Sequence, residues 1–145
     1  MWRELIADID ANAVFHAPCS AEELLRLEAA LGASLPNELA ALLRETNGVE
    51  VAYGVSLVWS VNEIAENNRE MRSQLRPGGA LAFCMPVDHL LIFGEAGNGD
   101  LYAFPITPEG VQNRVFVWDH EDDSRTCQAN SLAHWLQATS ETAGS

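Results

Sequence analysis

Apolar residues recur at helical spacing through the first third of the chain. Residues 1–12 form the first such stretch. A second helix is expected over 20–32, because Ser20 and Glu23 make a capping box at its start and a glycine follows its apolar stripe. A third helix is expected over 35–48, with a proline at its beginning and an Asn-Gly pair at its end. The chain therefore opens with three short helices.

The pattern then changes before it becomes helical again. Residues 49–59 are rich in β-branched and aromatic residues and are interrupted by Gly54, so they predict one or two strands. A second capping-box pattern begins at Ser60 and predicts another helix. One face of that helix is marked by Val61, Ile64, Asn68, Met71 and Leu75. The run 76–79, Arg-Pro-Gly-Gly, is expected to stop it.

Beyond residue 88 the hydrophobic pattern is that of strands. Residues 89–93 predict a buried strand, and 101–104 predict its neighbour across a glycine-rich hairpin loop. Pro105 is expected to end that second strand or to lie at a sheet edge, because proline has no N–H to donate. Residues 115–118 predict a third strand.

The end of the chain predicts a charged loop and one more helix. The loop covers 119–126, and Asn130 or Ser131 then caps a short helix that carries Leu132 and two further apolar residues on one face. The polar tail from about residue 139 is expected to fray. Helices beside hairpin strands, without regular β-α-β alternation, favour an α+β fold. We therefore predict one domain over residues 1–145, with helices packed around a mainly antiparallel sheet.

Charge changes what this domain is expected to bind. The chain has 8 Lys+Arg, all of them Arg, against 21 Asp+Glu, which gives a net charge of −13. A surface this negative repels phosphate backbones and anionic lipid, so we expect neither direct nucleic-acid binding nor membrane binding. Such acidity serves solubility, and it also favours a basic partner.

Cellular location is expected to be cytoplasmic. No stretch approaches the about 18 apolar residues that a membrane span needs. The first eight residues contain acids where a signal peptide has an unbroken apolar region. The 3 cysteines are odd in number and have no metal-type spacing, which is typical of a reduced compartment.

Catalytic and cofactor signatures are weak, so we predict no enzyme, no catalytic residue and no cofactor. The sequence has no Gly-x-Ser-x-Gly elbow. Cys127 with His134 or His120 is a conceivable nucleophile and base, but a reactive thiolate needs nearby positive charge, which this chain lacks. Glycosidase-like carboxylate pairs arise by chance among so many acids.

Metal and phosphate signatures are equally weak, and we predict no metal site. Residues 120–123 and 88–89 supply ligand types without a ligand spacing. Glu95, Asn98 and Asp100 lie in a glycine-rich loop, where Asn and Gly are better explained by the positive φ of a hairpin turn. That loop joins two strands and contains acids, so it does not make a phosphate cradle.

One segment stands out as a candidate binding surface. Residues 119–123 carry four carboxylates in five positions, directly after Trp118. Such a run is usually a solvated loop, and a tryptophan that closes a strand is more often core. The alternative is an aromatic anchor beside an acidic rim, which would attract a basic surface and raise its association rate.

The ordered set of motifs resembles the SUKH superfamily, which includes many bacterial immunity proteins and a yeast regulator of cell-wall synthesis. The resemblance covers about residues 20–137. The matching motifs are Glu28-x-x-Leu31-Gly32, Leu35-Pro36-Asn37-Glu38-Leu39, Leu42-Leu43, Asn47-Gly48, Leu91-Ile92-Phe93-Gly94 leading to Gly97-Asn98-Gly99-Asp100-Leu101-Tyr102, Val115-Phe116-Val117-Trp118-Asp119-His120-Glu121, and Ser131-Leu132-x-x-Trp135-Leu136.

This resemblance implies an α+β fold and a non-catalytic protein that binds and neutralises a cognate bacterial toxin. Many such toxins are nucleases, whose clefts must be basic to hold phosphates. We expect the partner-binding residues to be Asp119, Glu121, Asp122 and Asp123, joined by Glu95 and Trp118. A regulatory scaffold without a toxin partner is the alternative, and an enzyme or metal-dependent hydrolase is the third hypothesis. Monomer and homodimer both remain open.

Overall fold

The computed structural model describes residues 2–51, 54–75 and 89–143. The described helices are α1 (Trp2–Ile9), α2 (Ala21–Leu31), α3 (Asn37–Glu45), α4 (Val61–Leu75) and α5 (Leu132–Ala143). The described strands are β1 (Val14–Phe15), β2 (Val49–Val51), β3 (Val55–Val58), β4 (Leu90–Glu95), β5 (Leu101–Thr107), β6 (Gly110–Val111), β7 (Val115–Trp118) and β8 (Arg125–Ala129). The predicted stop at 76–79 lies outside the described residues.

The strands form two antiparallel sheets, which confirms the predicted α+β class. The first sheet has the order β1-β2-β3, and the second has the order β4-β5-β7-β8 with β6 paired to β5. In both sheets the neighbours follow chain order apart from β6, as expected where short turns join successive strands. The architecture thus alternates helices and hairpins without parallel crossovers among the described residues.

The two sheets meet where β3 passes β4. The Trp59 N–H donates to the Phe93 carbonyl oxygen at 2.7 Å. A Cβ added at Gly94 would lie 2.0 Å from the Leu57 carbonyl oxygen, far inside van der Waals contact. Glycine at position 94 therefore lets the two backbones approach this closely.

Local signals set the helix boundaries much as the sequence predicts. Ser20 and Glu23 form both bonds of the capping box before α2, and Gly32 ends that helix in the left-handed conformation at φ 69°. Ser60 and Glu63 make the corresponding pair of bonds at the start of α4, at 3.1 and 3.3 Å. The local sequence pattern is sufficient to predict these helix ends, because each cap is formed by residues only a few positions apart.

The core lies between the second sheet and the helices. Phe93 of β4 stacks on Phe104 of β5, with ring centroids 4.5 Å apart, and Trp135 of α5 meets Phe93 edge-on at 5.4 Å. Leu132 and Leu136 of the same helix are fully buried. This packing accounts for the apolar face predicted for the last helix.

Three expectations differ from the structure. Of the two alternatives for Pro105, an end of the strand is wrong, because β5 continues to Thr107. At Pro105 the strand pairs with Leu90 of β4, whereas its pairing with β7 covers only Leu101 to Ala103. The charged loop stops at residue 124, since residues 125–129 form the strand β8 on β7. The last helix extends to Ala143, into the tail that was expected to fray.

Candidate functional site

Two loops lie side by side at one end of the second sheet. Glu95 pairs with Leu101, Leu101 with Trp118, and Trp118 with Arg125, so these four residues form one row across four strands. The loop 96–100 joins β4 to β5, and the acidic loop, defined as residues 119–124, joins β7 to β8. All six residues predicted for the partner-binding surface therefore lie at this end of the sheet.

A hydrogen-bonded pair links the two loops. Nδ1 of His120 lies 2.7 Å from Oδ1 of Asp100, and the His120 backbone N–H donates to the same oxygen at 3.2 Å. The imidazole packs on Gly99, where an added Cβ would lie 2.8 Å from the ring. Gly99 also has φ +99°, so both its conformation and its contact with the ring favour glycine.

This contact changes the titration of both partners. The side-chain hydrogen bond to Asp100 is the main cause that raises the pKa of His120, and the charges of Asp100, Glu121 and Asp119 act in the same direction. The same hydrogen bond lowers the pKa of Asp100. The contact therefore favours a protonated imidazole beside an ionised carboxylate, relative to the two groups kept apart.

The acidic loop is held by its own hydrogen bonds. Oδ1 of Asp119 accepts the Glu121 N–H at 2.8 Å, and Oδ1 of Asp122 accepts the Ser124 N–H at 2.9 Å. The backbone closes the loop through Asp119 N–H to Ser124 O at 2.9 Å and Asp123 N–H to Asp119 O at 2.8 Å. Bonds from Ser124 lower the pKa of Asp122, its side-chain hydrogen bond first and its backbone N–H second. The loop thus presents its charges from a defined backbone.

Trp118 and Asp123 fasten the loop to the sheet beneath it. Trp118 is 5% exposed, and its indole N–H donates to Oδ1 of Asp123 at 2.6 Å. Nη2 of Arg125 donates to the same oxygen at 2.9 Å. Asp123 has φ 60°, a left-handed conformation that aspartate tolerates better than most residues. Most of the indole area therefore packs in the core, while the indole N–H orients the loop.

The remaining predicted residues differ in exposure. Glu121 and Asp122 are exposed, whereas Asp119 is half-buried. Glu95 is also half-buried, and its Oε1 accepts the Ser56 N–H from β3 at 3.1 Å. The outermost carboxylates at this end of the sheet thus belong to the middle of the acidic loop.

Three side chains at this end are of metal-ligand type. One ligand atom from each of Asp100, Asp119 and His120 lies within 4.8 Å of the others. The short hydrogen bond between Asp100 and His120 already joins two of these side chains. Exposed groups of this kind are common without an ion, so we assign no metal to them.

Sequence reasoning missed Asp100 and His120 as a pair at this surface. Asp100 directly precedes the predicted strand 101–104, and His120 is the second residue after the predicted strand 115–118. Because β5 and β7 are neighbours in the sheet, the two residues lie close together. A prediction that these two strands pair would have found them.

Comparisons with known proteins give one family. A family model described as the SMI1 / KNR4 family (SUKH-1) matches residues 18–138. No curated protein sequence matches this one. In the part of the chain that the structure describes, every helix is too short or too polar to cross a membrane.

Proposed function

This chain belongs to the SMI1/KNR4 family (SUKH-1), and on that premise we propose that it is an immunity protein that binds and neutralises a cognate bacterial toxin. The proposed toxin is a basic domain of the nuclease type, and the proposed mode of action is binding without catalysis in the cytoplasm. The matched range covers most of the chain, including both loops of the candidate surface. The family match thus supports a protein-binding role at the level of the whole domain.

The observation that carries the proposal is the acidic loop itself. It displays exposed carboxylates from a backbone closed by its own hydrogen bonds. A loop that is already ordered loses less conformational freedom on binding than a mobile one. A nuclease cleft is basic because it holds phosphates, so an acidic surface of this kind complements it and speeds the encounter.

The six residues have different roles in the proposed interface. Glu121 and Asp122 contact basic side chains of the toxin directly, with Asp119 beside them. Asp123 and Trp118 act through the loop, because their polar atoms hold it on the sheet. Glu95 extends the acidic surface toward β3. In this arrangement the protein supplies charge and shape, and the toxin supplies the complementary cations.

The test measures binding to the toxin domain encoded next to this gene, at low and at physiological salt. We expect a tight one-to-one complex that weakens as salt rises. The double variant Glu121→Gln, Asp122→Asn removes two exposed charges and is expected to weaken binding by about fivefold to tenfold, mainly through a slower association rate. The amide substitutions preserve side-chain size and hydrogen-bond acceptors.

A matched control keeps the total charge change equal. Glu66 on α4 and Glu109 in the turn between β5 and β6 are both exposed, and Glu109 follows the opposite end of β5 from the acidic loop. The Glu66→Gln, Glu109→Gln variant should bind as the wild type does. If both double variants lose the same affinity for the toxin, the effect comes from net charge alone. The acidic loop would then not be part of the interface. If the neighbouring toxin does not bind and several host proteins do, the regulatory scaffold replaces the immunity function.

A further inference from the structure

A cleft of about 380 Å³ lies between the first sheet and the beginning of α4. Buried Val49 and Val58 contribute to its lining. Its polar lining includes His16, Glu50, Ser56, Ser60 and Glu63. The cleft therefore combines two buried valines with a larger number of polar residues, which suits a ligand that is itself polar or charged.

The shape of this cleft is fixed by buried hydrogen bonds. The hydroxyl of Thr46, a fully buried residue, accepts the His16 N–H at 2.9 Å and donates to the Gly48 carbonyl at 2.8 Å. Oδ1 of Asn47 accepts the first N–H of α4, from Val61, at 2.9 Å. These bonds join the segment after β1, the segment before β2 and the start of α4, so the cleft exists before any ligand arrives.

The lining is rich in acceptors and negative in charge. Glu50 and Glu63 each contribute a carboxylate, and none of the arginines that the structure describes lines the cleft. His16 lies 3.6 Å from Glu50 through its Nε2 atom. Oε1 of Glu63 accepts the Ser60 N–H, and its second oxygen has no partner among the described residues. Two serine hydroxyls add further acceptors beside the carboxylates.

We propose that this cleft receives an arginine side chain of the partner protein. A guanidinium carries a positive charge and five N–H donors in a planar fork, which suits two carboxylates and two hydroxyls at the rim of one cavity. Its three-carbon stem is apolar and suits Val49 and Val58 in the lining. The inference rests on the proposed function, because it takes the partner to be basic.

Position supports a single partner for both surfaces. Ser56 lines the cleft and its backbone N–H binds Glu95, the first residue of the row that leads to the acidic loop. From Glu95 to Trp118 there are two strand-to-strand steps within the second sheet, or about 10 Å. A standard interface buries about 800 Å² per partner and so is about 30 Å across. One basic domain of ordinary size can therefore cover the cleft and the acidic loop together.

The test uses isolated amino-acid probes and the whole labelled protein, and it needs no toxin. N-acetyl-arginine amide is titrated into the protein while backbone amide resonances are followed by NMR. N-acetyl-citrulline amide, in which a neutral ureido group replaces the guanidinium, is the matched probe at equal ionic strength. We expect the arginine probe to shift the amides of Gly48, Glu50 and Ser60 at millimolar concentrations, and the citrulline probe to leave them unchanged.

Two double variants test whether the arginine probe binds in the cleft or elsewhere on the surface. Glu50→Gln with Glu63→Gln is expected to weaken binding of the arginine probe about fivefold, because two carboxylate partners are lost. Glutamine preserves the capping box at Ser60, so α4 should keep its start. The Glu66→Gln, Glu109→Gln variant, with the same change in charge, should bind the probe as the wild type does.

Several results would overturn the inference. They are an absence of shifts around the cleft, equal shifts with citrulline, or unchanged affinity in the Glu50, Glu63 variant when its amide spectrum remains dispersed. Shifts confined to residues 119–124 would overturn the cleft and leave the acidic loop as the proposed interface. Arginine binding in the cleft together with no toxin binding would overturn the proposed function alone.

Discussion

Asn68 provides the sharpest test of how α4 is joined to the second sheet. It is a polar residue with 1% exposure on a helix face that is otherwise apolar. Its Nδ2 donates to the Ile92 carbonyl oxygen at 2.7 Å, and its Oδ1 accepts the Ile92 N–H at 2.8 Å. One side-chain amide thereby satisfies both backbone polar groups of a fully buried strand residue.

Replacing Asn68 with leucine keeps the side-chain size and removes both bonds. The Ile92 N–H and C=O would then remain in the core without these partners, and each such group costs about 1–3 kcal/mol. Taking about 1.5 kcal/mol for each group gives an expected loss of about 3 kcal/mol. That is a large part of the about 5–15 kcal/mol that keeps a domain folded. The melting temperature should fall by about 10 °C for a chain of this length.

The assay is urea unfolding, followed by tryptophan fluorescence and by circular dichroism. The control is Asn67→Leu, since Asn67 is half-buried and its side chain has no hydrogen-bond partner among the described residues. We expect that control to stay within about 0.5 kcal/mol of the wild type. A loss below about 1 kcal/mol for Asn68→Leu, with an unchanged denaturant slope, would refute the argument from two unsatisfied groups.

Three further predictions concern the sheet junction and the acidic surface. Gly94→Ala places a Cβ 2.0 Å from the Leu57 carbonyl oxygen, so the sheets must separate; urea unfolding should show a loss of about 3 kcal/mol. The pKa of His120 is raised and that of Asp100 is lowered, so the pair stabilises the fold fully between pH 3.8 and pH 6.5, the ordinary pKa values of aspartate and histidine. This stabilisation is lost as pH rises through the pKa of His120 in the folded protein. The stability difference between the wild type and His120→Gln should therefore shrink from about pH 5.5 to about pH 9, and a constant difference would contradict the pairing. Asp123→Ala removes the acceptor of the indole N–H and should cost about 2 kcal/mol in thermal unfolding, whereas Asp123→Asn, which retains an acceptor and tolerates positive φ, should cost less.

The parts of the fold that sequence predicts are those fixed by nearby residues. The capping box at Ser20 and the left-handed Gly32 delimit α2 within one turn of each end. The strand β8 was missed because its sequence, Arg-Thr-Cys-Gln-Ala, has no apolar alternation and three of its residues are exposed. Its strand conformation depends on pairing with β7, which the local pattern does not encode.

The same distinction applies to the candidate surface. The acidic run is visible in the sequence, but the contacts that shape it join residues far apart along the chain. Asp100 and His120 are 20 positions apart, and Ser56 and Glu95 are 39 apart. The spacing predicts that Asn68 shares a helical face with apolar residues, yet its role depends on Ile92, 24 positions away. The sequence shows which residue types are present, whereas hydrogen bonds between residues so far apart are known only from the tertiary structure.

Net charge alone overstates how much of this acidity is available to a partner. With 21 acids and 8 arginines, most carboxylates have no cation to pair with. Several accept backbone N–H groups instead, as Glu28 does from Leu35 at 2.8 Å and Glu38 does from Ala133 at 3.0 Å. Such acids act as caps that join segments of the fold, so replacing them with alanine would remove a structural bond together with a charge. Amide substitution removes the charge and keeps an acceptor, and for this reason it is the substitution that separates electrostatic binding from folding in this protein.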